Sequence, residues 1–384
     1  MHSTLHNRDT ALPAVADAQP DFDRRLFLTV VSVLTAFGIL MVHSASITSW
    51  PTEFEQVYLS RQLAFLLFGV VVATAAGLAP ARLWSGMAPW MFVASVLLLV
   101  ALRFPGIGTT VNGSTRWLRL GTISIQPSEI TKIALPLLVC RIVSSRPEHL
   151  KTLLRGWLCP LIPAAIVVPL VLIQPDLGTG AFLALGTCLA LAYSGWPLRH
   201  FLLSAAVVSP ACLSLLALKP YQLSRLKGFL AIWTNEGEVP YQLKQSLLAL
   251  GAGGIEGVGL GRGWQKLSFL PEANTDFVMA VVGEELGLVG TLGLCLLWIA
   301  FYATGLRLLR HLPPGCFAHA AAVTLLTQLV VQAALNVAVV TAVVPPKGIP
   351  HPLLSYGGSN LVTSLLAVGI VVSLARADST EQAH

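Results

Sequence analysis

The sequence predicts an all-α polytopic membrane protein with about ten transmembrane helices and a long outer loop before the eighth span. Of its 384 residues, 55% are hydrophobic and 11% are charged, whereas a soluble domain carries about 25% charged residues. The mean hydropathy of +0.74 points the same way. Apolar stretches recur between short polar breaks, and at about 1.5 Å per residue they can approach the roughly 30 Å hydrocarbon thickness of a bilayer. Lipid is therefore the expected solvent of this chain.

The order of the elements follows from these apolar stretches. A polar N-terminal tail at 1–25 precedes a single transmembrane domain at 26–376, and a short C-terminal tail follows at 377–384. The predicted spans are 26–47, 62–79, 85–102, 129–145, 157–173, 177–196, 201–218, 287–309, 316–344 and 360–376.

The segment before the eighth span is too long for a simple connection. We expect 219–286 to form a large outer loop and a re-entrant segment, because the chain from Asp276 to Arg310 exceeds one upright helix. The Gly-rich run Gly251–Gly263 lies in this loop. No βαβ unit surrounds it, so the pattern favours a tight loop with close backbone approach over a dinucleotide site.

Basic residues predict the orientation. With both termini in the cytoplasm, the inner loops and tails hold about twelve Lys and Arg residues and the short outer loops hold about five. These residues lie in short runs between apolar segments, which is typical of membrane loops and does not indicate nucleic acid. The six cysteines lie in or beside apolar segments and suit neither a disulfide framework nor zinc.

The predicted outer loops carry four polar clusters: NGSTRWLRLGTISIQPSEITK, QPDLGTG, LPEANTDFVMAVVGEELG and PPKGIPHPLLSYGGSN. Ionisable groups at membrane depth are costly and default to functional roles. Acids and bases collect on one side here, which predicts an outward-facing site. The candidate residues are Arg116, Trp117, Glu129, Lys132, Asp176, Asp276, Glu284, Glu285, Lys347 and Ser355.

These motifs resemble the SEDS family (shape, elongation, division and sporulation), the FtsW/RodA glycosyltransferases of peptidoglycan synthesis. The resemblance runs from Met41 to Gly369 and is strongest at NVAVVTAVVPPKGIPHPLLSYGGSN, Asn336–Asn360. QKLSFLPEA and GEELG favour the FtsW division branch. Asn274 stands where members commonly have His, which argues against an indispensable base at that position.

The resemblance implies that Asp276 is catalytic and that the substrate is lipid II, a disaccharide-peptide on undecaprenyl pyrophosphate. A sugar hydroxyl is a weak nucleophile, so a carboxylate must take its proton. The departing pyrophosphate needs Arg, Lys or a divalent ion such as Mg²⁺ or Mn²⁺. Arg116, Lys132 and Lys347 are the candidates for that task.

Each candidate also has a structural interpretation. Asp276 and Asp176 could cap helices, Glu129 and Lys132 could form an ion pair, and Trp117 could anchor the chain at the membrane interface. Glu284 and Glu285 could pair with a base or, more weakly, hold a metal ion. Ser355 could shape a turn beside the cavity or bind substrate.

Three functions stay open at this stage. A lipid II polymerase in the inner membrane is favoured, and it implies a class B penicillin-binding protein and other division proteins as partners. A lipid II flippase would line a route through the membrane midplane with charge. A non-catalytic division scaffold would leave the outer carboxylates without a task.

Overall fold

The computed structural model describes residues 18–46, 53–104, 106–111, 114–120, 123–152, 154–218, 220–234, 237–267 and 269–377. Residues 1–17 of the predicted N-terminal tail and 378–384 of the C-terminal tail lie outside this range.

Every predicted span coincides with a helix. These ten helices are α1 Ala18–Ala45, α2 Glu53–Leu78, α3 Ala81–Ala101, α4 Pro127–Ser144, α5 Cys159–Ile173, α6 Leu177–Tyr193, α7 Leu198–Leu218, α10 Val278–Leu309, α11 Phe317–Val340 and α12 Gly358–Leu374. Among the residues that the structure describes, six segments are long and apolar enough to cross a membrane: Asp21–Ala45, Tyr58–Leu78, Ala81–Ala101, Arg155–Ile173, Val278–Leu309 and Phe317–Val340. Two shorter apolar helices, α6 and α12, accompany them. The predicted fold class is confirmed.

The loop between the seventh and eighth predicted spans contains two helices that the sequence interpretation missed, α8 Pro220–Thr234 and α9 Tyr241–Gly253. A second difference lies after α3, where three strands form an antiparallel sheet: β1 Gly108–Val111, β2 Ser114–Leu120 and β3 Ile123–Ile125. Thr109 pairs with Trp117, and Arg119 pairs with Ser124. The β-branched and aromatic residues here suit a pleated surface.

The first helix begins earlier than predicted. Residues 18–25 were assigned to the tail, but α1 starts at Ala18. Asp23 is buried, and its carboxylate pairs with Arg307 of α10 at 2.6 Å. This ion pair between α1 and α10 stabilises polar residues at the start of α1. A prediction from apolar residues alone does not include them in the helix.

The long helix α10 is broken at Gly287, whose φ of 63° and ψ of −158° are not helical. Glycine adopts a positive φ without the Cβ penalty. The Gly-rich run satisfies the backbone groups that the break releases: Val258 N–H donates to the Glu284 carbonyl at 3.0 Å, and Leu288 N–H donates to the Gly254 carbonyl at 2.9 Å. The predicted close backbone approach is confirmed, and the boundary at Gly287 falls where the eighth span was expected to begin.

Helix α11 is the centre of the bundle. In its most apolar stretch 67% of residues are buried, against 22% for α2 and α10. It packs against α4, α6, α10 and α12, while α2 packs on α12 and α3 packs on α4. Polar side chains on α11 are therefore enclosed by protein and need internal partners.

Candidate active site

Asp276 lies in the turn that precedes α10, and its backbone is fixed from the chain's C-terminal part. Three successive carbonyls each accept one hydrogen bond: Asn274 from Tyr356 N–H at 2.8 Å, Thr275 from the Ser355 hydroxyl at 2.5 Å, and Asp276 from the Asn336 amide at 2.7 Å. Such clamping restricts the position of the carboxylate.

The carboxylate of Asp276 is left available by this arrangement. Helix α10 has Phe277 at its N-cap with no side-chain capping bond, so the capping interpretation of Asp276 is wrong. Neither carboxylate oxygen makes a hydrogen bond within the part of the chain that the structure describes. The group is thus free to accept a proton from a bound molecule.

The pKa of Asp276 is raised to about 7, chiefly by burial and also by the negative charges of Glu272 and Asp176, while the positive charge of Arg116 opposes the rise. A general base works best when its pKa is near the operating pH. Asp276 has this property. His351, by contrast, is buried, and burial lowers its pKa to about 4.

Arg116 and Asp176 lie close to one another beside this carboxylate. Arg116 Nη1 is 3.4 Å from Asp176 Oδ2, and Arg116 Nη2 donates to the Pro175 carbonyl at 2.9 Å. Asp176 also caps α6, because its Oδ1 accepts from Thr179 N–H at 3.0 Å. The capping interpretation of Asp176 is confirmed. Its negative charge also raises the pKa of Asp276.

The loop containing Lys347 connects the two aspartates. A Cβ atom built on Gly178, next to Asp176 in the helix, would lie 3.5 Å from Lys347 Cδ. A Cβ built on Gly348 would lie 2.8 Å from Asp276 Oδ2, so the loop passes directly beside this carboxylate. The structure therefore brings together Arg116, Asp176, Asp276 and Lys347.

Glu129 and Lys132 form the predicted ion pair, with Lys132 Nζ donating to Glu129 Oε1 at 2.6 Å. Lys132 also donates to Gln332 Oε1 at 3.3 Å, and Gln332 donates onward to the Pro350 carbonyl at 2.8 Å. A cavity of about 30 Å³ adjoins the pair. That volume holds one or two water molecules. Through the hydrogen bonds of Gln332, the pair supports the loop that carries Lys347.

Of the two interpretations open for Ser355, the structure favours shaping the turn over the substrate contact for which it was a candidate. The residue is 1% exposed. Its hydroxyl donates to the Thr275 carbonyl and accepts from His351 N–H at 2.7 Å. With both roles filled inside the protein, Ser355 positions the Asp276 turn instead of binding substrate.

Trp117 is not brought to the group around Asp276. Side chains alternate across a strand, so Trp117 and Arg116 lie on opposite faces of β2. Ser114 and Leu118, on the Arg116 face, are buried. Trp117 is half-buried on the other face, a position that agrees with its interfacial interpretation.

Glu284 and Glu285 do not fit a metal site. Glu285 pairs with buried Lys266 at 2.5 Å and accepts from Ser44 and Gly261, while Glu284 accepts from Trp264 N–H and Gln265 N–H. These donors occupy the carboxylates. Among the described residues no group of three His, Cys, Asp or Glu could hold a metal ion. The predicted partnership with a base is confirmed.

Sequence interpretation missed Asn336 and Gln332 as parts of this site. They are one helical turn apart and share a face of α11. Gln332 holds Pro350, and Asn336 holds both Asp276 and the Ile349 carbonyl, the latter at 2.8 Å. Three amides spaced four residues apart, Gln328, Gln332 and Asn336, in a mainly apolar span were the signal that could have found them.

Fold and site define a multi-pass membrane protein with an available carboxylate at one end of its helix bundle, beside basic side chains. The family model described as "Cell cycle protein", FtsW/RodA/SpoVE, matches residues 24–380. The chain belongs to this family.

Relatives and solved structures agree with the assignment. The chain is 38% identical to a probable peptidoglycan glycosyltransferase FtsW of Trichlorobacter lovleyi, over 92% of this chain and 93% of the relative. It is 36% identical to a protein of the same description from Coxiella burnetii, over 92% and 96%. A chain of a peptidoglycan synthase complex, studied for its structural coordination of polymerization and crosslinking, superposes with a TM-score of 0.74 at 26% identity, over 91% and 96%.

Proposed function

We propose that this protein is a peptidoglycan glycosyltransferase that polymerises lipid II into glycan strands on the outer face of the cytoplasmic membrane during cell division. The observation that carries the proposal is the Asp276 carboxylate. It is clamped through its backbone, it has no internal hydrogen-bond partner in the described structure, and its pKa is about 7. The curated FtsW relatives support the same activity.

The chemistry assigned to Asp276 is general-base catalysis. The 4-hydroxyl oxygen of the acceptor sugar forms a bond to the anomeric carbon of the donor, and the bond from that carbon to the pyrophosphate oxygen breaks. Asp276 takes the hydroxyl proton, and undecaprenyl pyrophosphate leaves as an anion. The α-linked donor gives a β-linked glycan, so one inverting displacement is sufficient and no covalent enzyme intermediate forms.

Arg116 and Lys347 are the proposed ligands of the pyrophosphate. Both lie beside the aspartates, and an arginine fork matches phosphate oxygens in a bidentate manner. Lys132 and Glu129 act less directly, through Gln332 and the loop at Pro350. The proposal assigns no divalent cation to Glu284 or Glu285.

The remaining assignments rest on charge and on the relatives. Positive-inside asymmetry supports two cytoplasmic termini in the inner membrane, and with that orientation Asp276 would face outward. A class B penicillin-binding protein is the expected partner, since the superposed synthase chain comes from a complex that coordinates polymerization and crosslinking. Division is favoured over elongation because the curated relatives are named FtsW.

The decisive experiment reconstitutes the purified protein in liposomes that contain lipid II in both leaflets, with and without a penicillin-binding partner. Glycan polymer from the lipid II already outside, absent with Asp276→Asn, is the expected result. Translocation of lipid II without polymer from any version would identify a flippase and overturn the proposal. If neither polymer nor translocated lipid II forms in the presence of the partner, the protein would be a non-catalytic scaffold.

A further inference from the structure

A second site lies at the end of the bundle that faces away from Asp276. An open cavity of about 570 Å³ is formed between the C-terminal end of α4 and the start of α5. The N-terminal end of α4 adjoins the Asp276 region, because Gln126 N–H donates to Ser359. The 18 residues of α4 separate the two sites by about 27 Å at about 1.5 Å per residue.

The wall of this cavity is built by a rigid connection between α4 and α5. A 3-10 turn at Pro147–Lys151 leads into a turn of π-helix at Leu154–Leu158. Trp196 Nε1 donates to the Gly156 carbonyl at 2.6 Å, and Arg199 donates to the Lys151 carbonyl at 2.9 Å. The cavity therefore belongs to the folded structure.

Three basic side chains line the cavity: Arg146, His149 and Arg155. No acidic residue is among the lining residues, although Glu148 is adjacent in sequence. The guanidinium groups of Arg141 and Arg199, which lie nearby, donate hydrogen bonds to backbone carbonyls.

Arg146 and Arg155 differ from these neighbours. Both are exposed, and neither makes a side-chain hydrogen bond or ion pair with any residue that the structure describes. Two unpaired guanidinium groups at one cavity match the oxygens of a phosphate.

Most of the remaining lining is apolar, with Ile142, Val143, Leu150 and Pro160, and Ser145 adds one hydroxyl. The adjoining surface is apolar and exposed, at Leu158 of the π-helical turn and at Ile162 and Ile166 of α5. A free phosphate would gain nothing from such a surface. A phospholipid would place its phosphate between the arginines and lay its acyl chains along α5.

We propose that this cavity binds the phosphate group of an anionic membrane phospholipid. Arg146 and Arg155 contact the phosphate, His149 adds a donor, and α5 receives the acyl chains. The site is separate from the Asp276 region and does not depend on the function proposed there.

The test measures binding of phosphatidylglycerol to the full-length protein, purified and stripped of lipid, by native mass spectrometry. The variants are Arg146→Gln with Arg155→Gln, the charge-preserving pair Arg146→Lys with Arg155→Lys, and Lys151→Gln as the matched control. Lys151 is exposed on the same turn but does not line the cavity. Phosphatidylcholine and inorganic phosphate are separate arms.

The double glutamine variant is expected to bind phosphatidylglycerol at least about ten-fold more weakly, since both charge-assisted contacts to the phosphate are lost. The lysine pair should retain part of the binding, and Lys151→Gln should match the unmodified protein. Equal losses in Lys151→Gln and the glutamine pair would mean that general surface charge is responsible. Competition by inorganic phosphate at equal concentration would mean a free-anion site. Either result would overturn the proposal, as would unchanged binding by the glutamine pair.

Discussion

The side-chain amide of Asn336 donates to the backbone carbonyl of Asp276 at 2.7 Å and to that of Ile349 at 2.8 Å. One residue of the central helix thus joins the turn that carries the proposed base to the loop that carries Lys347. Because Asn336 touches only backbone, its expected role is to position Asp276.

Replacement of Asn336 by leucine should therefore lower glycan polymerisation about ten- to hundred-fold, since a base displaced by even 1 Å loses much of its effect. Thermal unfolding in detergent should show whether the variant still folds. Gln328→Leu is the matched control, because Gln328 is a buried amide on the same helix and its Nε2 has no partner in the described structure. Equal loss of activity in both variants would argue against a positioning role.

The rate of polymerisation should depend on pH through Asp276. The base must be ionised to accept a proton, and its pKa is about 7. Activity should then fall about ten-fold per pH unit below that value. Asp276→Asn should remove activity at every pH while membrane insertion stays intact. A polymer yield from this variant comparable with that of the unmodified protein would refute the assignment.

Glu272 offers a way to move this profile. Its negative charge raises the pKa of Asp276, so Glu272→Gln should shift the midpoint of the rate profile to lower pH. Glu256→Gln, at an exposed residue of the Gly-rich run, should leave the midpoint in place. A midpoint that stays fixed in Glu272→Gln would show that another group controls the profile.

Arg116→Ala should slow turnover by about one to two decades, the effect of a lost charge-assisted bond to phosphate in the transition state. It should also move the midpoint of the rate profile to higher pH, because Arg116 lowers the pKa of Asp276. Arg116→Lys should recover only part of the rate, since an ammonium group lacks the planar fork. Full recovery of the rate in Arg116→Lys would mean that this position requires only a positive charge. Lys347→Ala should also slow turnover. Because Lys347 is not part of β2, as Arg116 is, this loss should not involve the sheet.

The buried pair of Lys266 and Glu285 should stabilise the break in α10. Lys266→Met alone leaves an unpaired buried carboxylate and should lower the unfolding free energy by about 3–5 kcal/mol. The double variant Lys266→Met, Glu285→Met should be less destabilised than the single one. Lys244→Met, at an exposed lysine of α9, is the control for loss of a lysine. Unfolding by denaturant measures all three, and additive losses would contradict a coupled pair.

Topology can be tested with two exposed glutamates at opposite ends of the bundle. In a variant without native cysteines, Glu256→Cys should react with a membrane-impermeant thiol reagent on intact spheroplasts. Glu148→Cys should react only after permeabilisation, because it lies in a predicted inner loop. The reverse pattern would invert the orientation and place Asp276 in the cytoplasm.

The sequence by itself determined the membrane fold, the positions of the ten helices that coincide with predicted spans and the motif around Asp276, because hydropathy and charge act over short stretches of chain. It also predicted a boundary at Gly287 and offered the ion pair of Glu129 with Lys132 as one interpretation, because both features are local in sequence. It did not reveal α8, α9 or the sheet, whose weak local patterns depend on packing against the rest of the bundle.

Only the tertiary structure decided which polar groups are available for chemistry. Ser355 and Glu285 look as reactive in the sequence as Asp276 does, yet their oxygens are occupied by residues distant in the chain, Thr275 for Ser355 and Ser44 for Glu285. A polar side chain buried in a bundle must find such a partner, and the identity of that partner depends on how the helices pack. Asp276 is distinguished because the fold holds its backbone and leaves its carboxylate open.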